Sequence, residues 1–117
     1  GQVVVTYCHW DGYPEYNGVM LNEHYNNQSK AEELANQGYL SSLKPTIKES
    51  LDDRANIQPP TIYHSAHTFY NDVQFDIEWI YLFKNNQWHV SVGQSTFIEN
   101  DLQPLWSVLA KLEKESA

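Results

Sequence analysis

Two residue pairs near the start of the chain could support nucleophilic or general-base chemistry. Cys8 is followed directly by His9, and a nearby imidazolium activates a thiolate. His9 and Asp11 form the second pair, in which a carboxylate could fix the imidazole tautomer that a general base needs. Because adjacent residues of a strand point to opposite faces, we expect Cys8 to be a buried small thiol that is separated from His9.

The pair of His9 and Asp11 keeps one enzymatic alternative open. No serine or cysteine nucleophile is tied to it by sequence, and Asp11 before Gly12 is also typical of a simple turn. A small-ligand binder or hydrolase-like enzyme centred on His9 and Asp11 is therefore the alternative function. A pocket at this turn would favour it.

The histidines of the second half do not complete a metal site. His64 and His67 have the spacing of two ligands on a helix, and Asp72 or Asp76 could add a third. Zinc normally takes three or four protein ligands in a recognisable spacing, and nothing here completes the set. The chain also lacks the G-x-S-x-G, H-E-x-x-H, G-x-x-x-x-G-K-[ST] and G-x-G-x-x-G motifs. The sequence therefore predicts a non-enzymatic protein without metal or cofactor.

The charge balance favours a cationic partner. Among 117 residues, 15 Asp and Glu outnumber 7 Lys and Arg, which gives a net charge of −8. No basic side chain precedes Lys30, and Lys84 is the only one between residues 55 and 110. This balance disfavours nucleic acid and anionic lipid as ligands. The aromatic side chains lack the basic groove of a base-stacking platform, so we expect most of them in the core.

The apolar patterns predict one mixed α+β domain over residues 1–117, with a small antiparallel sheet packed by two or three helices. Residues 3–8 are rich in valine and predict a strand covered on both faces. Residues 15–25 predict a short helix. Ser29 begins an S-x-x-E capping box, so a second helix is expected to begin there and to stop near Gly38.

The second half of the chain predicts a β-hairpin followed by a helix. Residues 77–83 and 88–92 have strand character, and Asn85-Asn86 can supply the tight turn between them. Residues 96–98 predict a further strand. Asn100 or Asp101 is then expected to cap a final helix with the apolar stripe Leu102, Leu105, Trp106, Leu109 and Leu112. Residues 41–60 have no lasting period and predict a long irregular connection.

The single cysteine and the absence of membrane-spanning, signal-peptide and heptad patterns predict a cytoplasmic monomer. Cys8 is the single cysteine and cannot form an internal disulfide, which fits a reducing compartment. No apolar run approaches the roughly 18 residues that span a bilayer, and residues 1–7 lack the basic stretch of a signal peptide. No heptad seam suggests self-association.

The block YCHWDGYP at residues 7–14 resembles a group of small phage and prophage proteins. The resemblance continues through most of the chain, at Gly18, Leu21, His24-Tyr25, Leu40-Ser41-Ser42-Leu43, Tyr81-Leu82-Phe83 and Trp88. It implies a protein that binds and blocks a host protein. From its residues, the block itself predicts a strand end and turn that fix a buried aromatic cluster, and a ligand site there stays open.

By size and acidity the chain is also similar to small bacterial DNA-mimic proteins, including a monomeric type that occupies the histone-like protein HU. The predicted function is therefore an acidic interaction protein that binds the DNA-contacting surface of a basic nucleoid or DNA-binding protein. The predicted contact residues are Glu15, Glu23, Asp72, Asp76, Glu78, Glu99 and Asp101, with Glu49, Asp52 and Asp53 as second choices. A phage inhibitor of another host protein, acting through exposed aromatic side chains, is the further alternative.

Overall fold

Short strands and short helices are interspersed along the chain. The computed structural model of the protein describes residues 1–116. The strands are β1 (Val3–Val5), β2 (Tyr7–Cys8), β3 (Tyr39–Leu40), β4 (Thr61–Tyr63), β5 (Trp79–Lys84), β6 (Gln87–Val92) and β7 (Gln103–Pro104). The helices are α1 (Val19–His24), α2 (Gln28–Ala35), α3 (Ile47–Asp52), α4 (Ala66–Val73), α5 (Ile98–Asp101) and α6 (Leu105–Ser116), and a π-helical turn (Pro14–Gly18) precedes α1.

The strands form three small sheets. β1 pairs antiparallel with β4, β2 pairs parallel with β3, and β5, β6 and β7 form an antiparallel sheet in that order. The predicted α+β class is confirmed. The part of the chain that the structure describes has more helices than the two or three expected, and the parallel pair of β2 and β3 was not foreseen.

The predicted β-hairpin is confirmed as β5 and β6. Its turn consists of Asn85 and Asn86, whose φ angles are 52° and 63°. Positive φ at both central residues is the requirement of a type I′ turn, which matches the twist of the flanking strands. Asparagine adopts this conformation more readily than most residues.

The three-stranded sheet separates two apolar clusters, because alternate side chains of a strand point to opposite faces. On β5, Trp79, Tyr81 and Phe83 face the first core, whereas Ile80 and Leu82 face the second core. The buried members of the first core are Leu21, Tyr25, Ala31, Leu34, Leu40, Leu43, Trp88, Val90 and Leu105. Those of the second core are Phe69, Tyr70, Ile80 and Ile98.

The capping box predicted at Ser29 is wrong. Asn27 caps α2 instead, since its side-chain oxygen accepts a hydrogen bond from the backbone N–H of Lys30 at 2.8 Å. Asparagine and serine are about equally good N-caps, so N-cap preference alone does not distinguish Asn27 from Ser29. Gly38 does follow the helix with a positive φ of 92°, and a Cβ there would lie 1.7 Å from the carbonyl oxygen of Gln58.

The prediction of an irregular connection over residues 41–60 is wrong at Ile47–Asp52, which form α3, and holds for the rest of the stretch. Thr46 caps the helix by accepting a hydrogen bond from the backbone N–H of Glu49 at 3.2 Å. Ser50 is fully buried and accepts a hydrogen bond from the backbone N–H of Lys44 at 2.8 Å. A helix of six residues is too short to leave a lasting apolar period in the sequence.

The strand predicted at residues 96–98 is not formed. These residues lead into α5, whose Ile98 is buried in the second core. The third strand is β7, at the sheet edge where a proline is tolerated. Asn100 and Asp101 lie within α5 and do not cap α6, and Leu102 precedes α6, which begins only at Leu105.

The N-terminal strand is interrupted at Thr6. The Thr6 hydroxyl donates a hydrogen bond to the carbonyl oxygen of Ala35 at 2.7 Å and accepts one from the backbone N–H of Gly38 at 2.9 Å. Tyr7 is 44% exposed, so the expected covering of both strand faces is wrong there. None of the helices within residues 1–116 is both long and apolar enough to cross a membrane.

Candidate functional site

Two neighbouring segments, residues 72–78 and 95–101, carry five of the predicted contact carboxylates. Gln74 Nε2 donates hydrogen bonds to the carbonyl oxygens of Ser95 at 2.6 Å and Thr96 at 2.8 Å. The backbone N–H of Phe75 donates to the carbonyl oxygen of Gly93 at 2.9 Å. These bonds fix the two segments side by side. We call this surface the acidic end; its carboxylates are Asp72, Asp76, Glu78, Glu99 and Asp101.

Three of these carboxylates have identified neighbours in the second-core half of the molecule. Asp72 accepts a hydrogen bond from the Tyr63 hydroxyl, and this bond together with partial burial raises the pKa of Tyr63 to about 12. Asp101 accepts a hydrogen bond from the Ser95 hydroxyl. Burial and the nearby carboxylate of Glu99 raise the pKa of Tyr70. Asp72 lies in α4, Glu99 and Asp101 lie in α5, and Asp76 and Glu78 lie in the connection between α4 and β5.

The two segments of the acidic end contain no Lys or Arg, and their carboxylates are not among the ion pairs of residues 1–116. Within residues 1–116, the ion pairs are His24 with Glu23 at 3.8 Å and Lys48 with Asp52 at 3.0 Å. Lys84 is at the far end of β5, about 17 Å from the start of that strand at 3.3 Å per residue. In the described part of the chain, none of the five carboxylates forms an ion pair.

Two aromatic side chains are exposed within the same segments. Phe75 is 61% exposed and Phe97 is 66% exposed. Phe75 has a positive φ of 71°, a conformation that is unusual for a bulky residue. The hydrogen bond from the Phe75 backbone N–H to Gly93 holds this conformation, and the ring stays exposed.

The other predicted contact residues do not join the acidic end. Glu15 lies in the π-helical turn and Glu23 in α1. Glu49 and Asp52 lie in α3, and Asp53 follows it. Both α1 and α3 pack on the first core, which the sheet separates from the second core beneath the acidic end. Five of the ten predicted residues thus lie on the two hydrogen-bonded segments of the acidic end.

The pair predicted for general-base chemistry is not hydrogen-bonded. His9 Nδ1 pairs with the Tyr7 hydroxyl at 3.1 Å, and Asp11 Oδ1 accepts a hydrogen bond from the Tyr13 hydroxyl at 2.9 Å. A cavity of about 270 Å³ opens beside Tyr7, but neither His9 nor Asp11 lines it. A second cavity, of about 260 Å³, lies next to Tyr25. Neither cavity places this pair in a pocket.

Cys8 is not arranged as a nucleophile. Burial raises the pKa of its thiol, which keeps it protonated at neutral pH. Asn17 Nδ2 lies 3.5 Å from the sulfur and donates a hydrogen bond to it. His9 is exposed and pairs with Tyr7, so the two residues are separated as the alternation of a strand predicts.

The two histidines considered as metal ligands contact neutral polar groups of α4. His64 Nε2 is hydrogen-bonded to the Thr68 hydroxyl at 3.2 Å, and Asn71 Nδ2 donates to His67 Nε2 at 3.2 Å. Across residues 1–116, no three His, Cys, Asp or Glu side chains are grouped closely enough to hold a metal ion. Neither Asp72 nor Asp76 completes such a site.

The sequence did not predict an exposed aromatic surface at the YCHWDGYP block. The YCHWDGYP block does not bury its rings as predicted, since Trp10 is 58% exposed and Tyr13 is 45% exposed. Ring centroids are 4.5 Å apart for His9 and Trp10, and 6.0 Å apart for Tyr7 and His9. Tyr39 extends the contact from Tyr7, also at 6.0 Å. We call Tyr7, His9, Trp10 and Tyr39 the aromatic surface. The density of aromatic residues in the block was the available signal.

Comparisons of the chain with protein-family models, with curated proteins and with solved structures find no match. The resemblances of the YCHWDGYP block and of the overall acidity stay predictions. Function is therefore inferred from the chemistry of the acidic end and of the aromatic surface.

Proposed function

We propose that the protein is a non-enzymatic DNA mimic whose acidic end binds the DNA-contacting surface of a basic nucleoid or DNA-binding protein, such as the histone-like protein HU. The observation that carries this proposal is the gathering of five carboxylates from two hydrogen-bonded segments that contain no Lys or Arg. A surface that binds DNA neutralises several phosphates with basic side chains, and the same side chains can pair with carboxylates.

Rigid placement of the carboxylates favours this mode of binding. Residues 72–78 and 95–101 are held by backbone and Gln74 hydrogen bonds, so little conformational entropy is lost when they bind. Asp72 and Asp101 are further fixed by the hydroxyls of Tyr63 and Ser95. A preorganised acidic surface accelerates association with a basic partner and makes binding depend on salt.

The exposed rings of Phe75 and Phe97 add a second kind of contact. Aromatic side chains are frequent anchors of protein interfaces, and apolar contacts are insensitive to salt. An acidic surface that includes two exposed rings therefore suits a protein partner with apolar side chains between its basic ones. This combination distinguishes the proposed partner from a purely cationic polymer.

A competition assay tests the proposal. Fluorescence anisotropy would follow a labelled DNA duplex bound to purified HU while the unlabelled protein is added. The test variant carries Asp76→Asn, Glu78→Gln and Glu99→Gln, which spare the two carboxylates bonded to hydroxyls. The matched control carries Glu33→Gln, Glu113→Gln and Glu115→Gln, three exposed carboxylates outside the acidic end.

We expect the protein and the matched control to release the duplex from HU, and the test variant to need at least about tenfold more protein, equivalent to about 1.4 kcal/mol. A pull-down from bacterial lysate at low salt, competed by duplex DNA, extends the test to other basic partners. Recovery of no basic DNA-binding protein, together with no release of DNA from HU, would contradict the proposed function.

A further inference from the structure

The aromatic surface is a set of neighbouring rings, of which Tyr7, His9 and Trp10 are exposed and Tyr39 is half-buried. Tyr7 and Trp10 are 44% and 58% exposed, and His9 is exposed as well. The ring of His9 meets that of Trp10 edge-on, at an interplanar angle of 80°. The buried aromatic side chains of the two cores are different residues. Neighbouring exposed rings of this kind mark an interaction site.

The charged side chains of the segments that carry the aromatic surface are acidic. The segments that form it and its edge are residues 5–15, 38–40 and 58–61, and they contain Asp11 and Glu15 but no Lys or Arg. The Tyr13 hydroxyl donates to Asp11 Oδ1 at 2.9 Å, which fixes this carboxylate one residue beyond Trp10. Aromatic faces carry negative electrostatic potential, so rings and carboxylates attract the same ligand, a cation.

A cavity extends the aromatic surface along the molecule. It has a volume of about 270 Å³, and its lining includes Tyr7, Tyr39, Gly38 and Pro59. The close approach of Gly38 to the backbone of Gln58 brings two walls of the cavity together. Rings at one end and a cavity at the other form a path that suits an extended peptide segment rather than a single small molecule.

We propose that the aromatic surface binds an extended, arginine-bearing segment of a partner protein. The planar guanidinium group stacks on aromatic rings and forms a bidentate pair with a carboxylate such as Asp11. A lysine ammonium is more strongly hydrated and matches stacked rings less well. This surface and its ligand are separate from the acidic end, and the proposal does not depend on binding to a DNA-binding protein.

Titration with two blocked peptides tests this assignment on the whole protein. One peptide alternates arginine and glycine, and the other alternates lysine and glycine at the same length and charge. Two-dimensional NMR would follow the indole N–H resonances of the tryptophans during each titration. Trp10→Ala is the test variant, and Trp106→Ala is its matched control because Trp106 is 60% exposed on α6.

We expect the arginine peptide to shift the Trp10 indole resonance in a saturable way and to bind more tightly than the lysine peptide. Trp10→Ala should weaken arginine-peptide binding about two- to fivefold, the range of an exposed cation–π contact, and Trp106→Ala should leave it unchanged. Equal affinities for the two peptides, or equal effects of the two substitutions, would overturn the assignment. A proline-rich peptide that binds more tightly than the arginine peptide would overturn it too.

The two proposals fail separately. The variant with Asp76→Asn, Glu78→Gln and Glu99→Gln should no longer compete with DNA for HU. Its Trp10 should still respond to the arginine peptide. Conversely, Trp10→Ala leaves the release of DNA from HU unchanged if the acidic end is the contact surface.

Discussion

At the scale of one residue, Phe75 combines an exposed ring with an unfavourable backbone conformation. Its ring is 61% exposed while its backbone has a φ of 71°. For residues other than glycine this conformation costs roughly 1–2 kcal/mol. The hydrogen bond from its backbone N–H to Gly93 maintains the conformation. The fold thus presents an aromatic ring next to the carboxylates at an energetic cost.

Replacing Phe75 with glycine should therefore stabilise the protein while weakening its binding. We expect Phe75→Gly to raise the free energy of unfolding by up to about 1 kcal/mol, because glycine adopts positive φ without strain. Phe75→Ala removes the ring but keeps the strain, so its stability should stay close to that of the parent. Urea denaturation measures both values. Equal stabilities for the two variants would show that the backbone at this position is not strained.

The hydroxyl of Tyr63 reports on the charge of Asp72. Its pKa is raised from 10.0 to about 12, chiefly because the hydroxyl donates a hydrogen bond to that carboxylate. A raised pKa means that the contribution of this pair to stability is present below pH 10.0 and is lost as the pH rises through about 12. Asp72→Asn should bring the pKa of Tyr63 back toward 10.0 in an NMR titration. Asp76→Asn removes the same charge without touching the hydroxyl and should change this pKa little.

At the scale of elements, the sequence predicted the long strands of the β-hairpin better than the short helices. The hairpin was correct because β5 and β6 each have six residues of strand character and Asn85-Asn86 matches the turn they need. The six-residue α3, the eight-residue α4 and the four-residue α5 were missed. Helices of that length form through tertiary contacts such as the buried Ile98, and these contacts leave little trace in the sequence.

The start of α2 gives a direct test of which side chain caps a helix. Asn27 accepts a hydrogen bond from the backbone N–H of Lys30 at 2.8 Å, whereas Ser29 lies inside the helix. Asn27→Ala should lower the free energy of unfolding by about 1 kcal/mol, and Ser29→Ala should leave it within about 0.5 kcal/mol of the parent. Urea denaturation of both variants decides the point. A larger loss for Ser29→Ala would restore the capping box predicted from the sequence.

At the scale of the whole molecule, the sheet decides which carboxylates form a surface. The scarcity of basic residues between positions 55 and 110 was visible in the sequence, and both segments of the acidic end lie within that stretch. The sequence could not show that α1, which carries Glu23, and α3 pack on the first core, since that depends on which strand face each element covers. The aromatic surface was missed for the same reason, because exposure is a property of the folded chain.

The salt dependence of HU binding tests the central claim most directly. Isothermal titration calorimetry from about 0.05 to 0.5 M salt would be run on the protein, on the variant with Asp76→Asn, Glu78→Gln and Glu99→Gln, and on the variant with Glu33→Gln, Glu113→Gln and Glu115→Gln. The Debye length shrinks across this range, so pairs between exposed charges weaken. We predict a steep loss of affinity with salt for the protein and for the second variant, and a weaker and flatter response for the first. The same salt dependence in all three proteins would contradict the account.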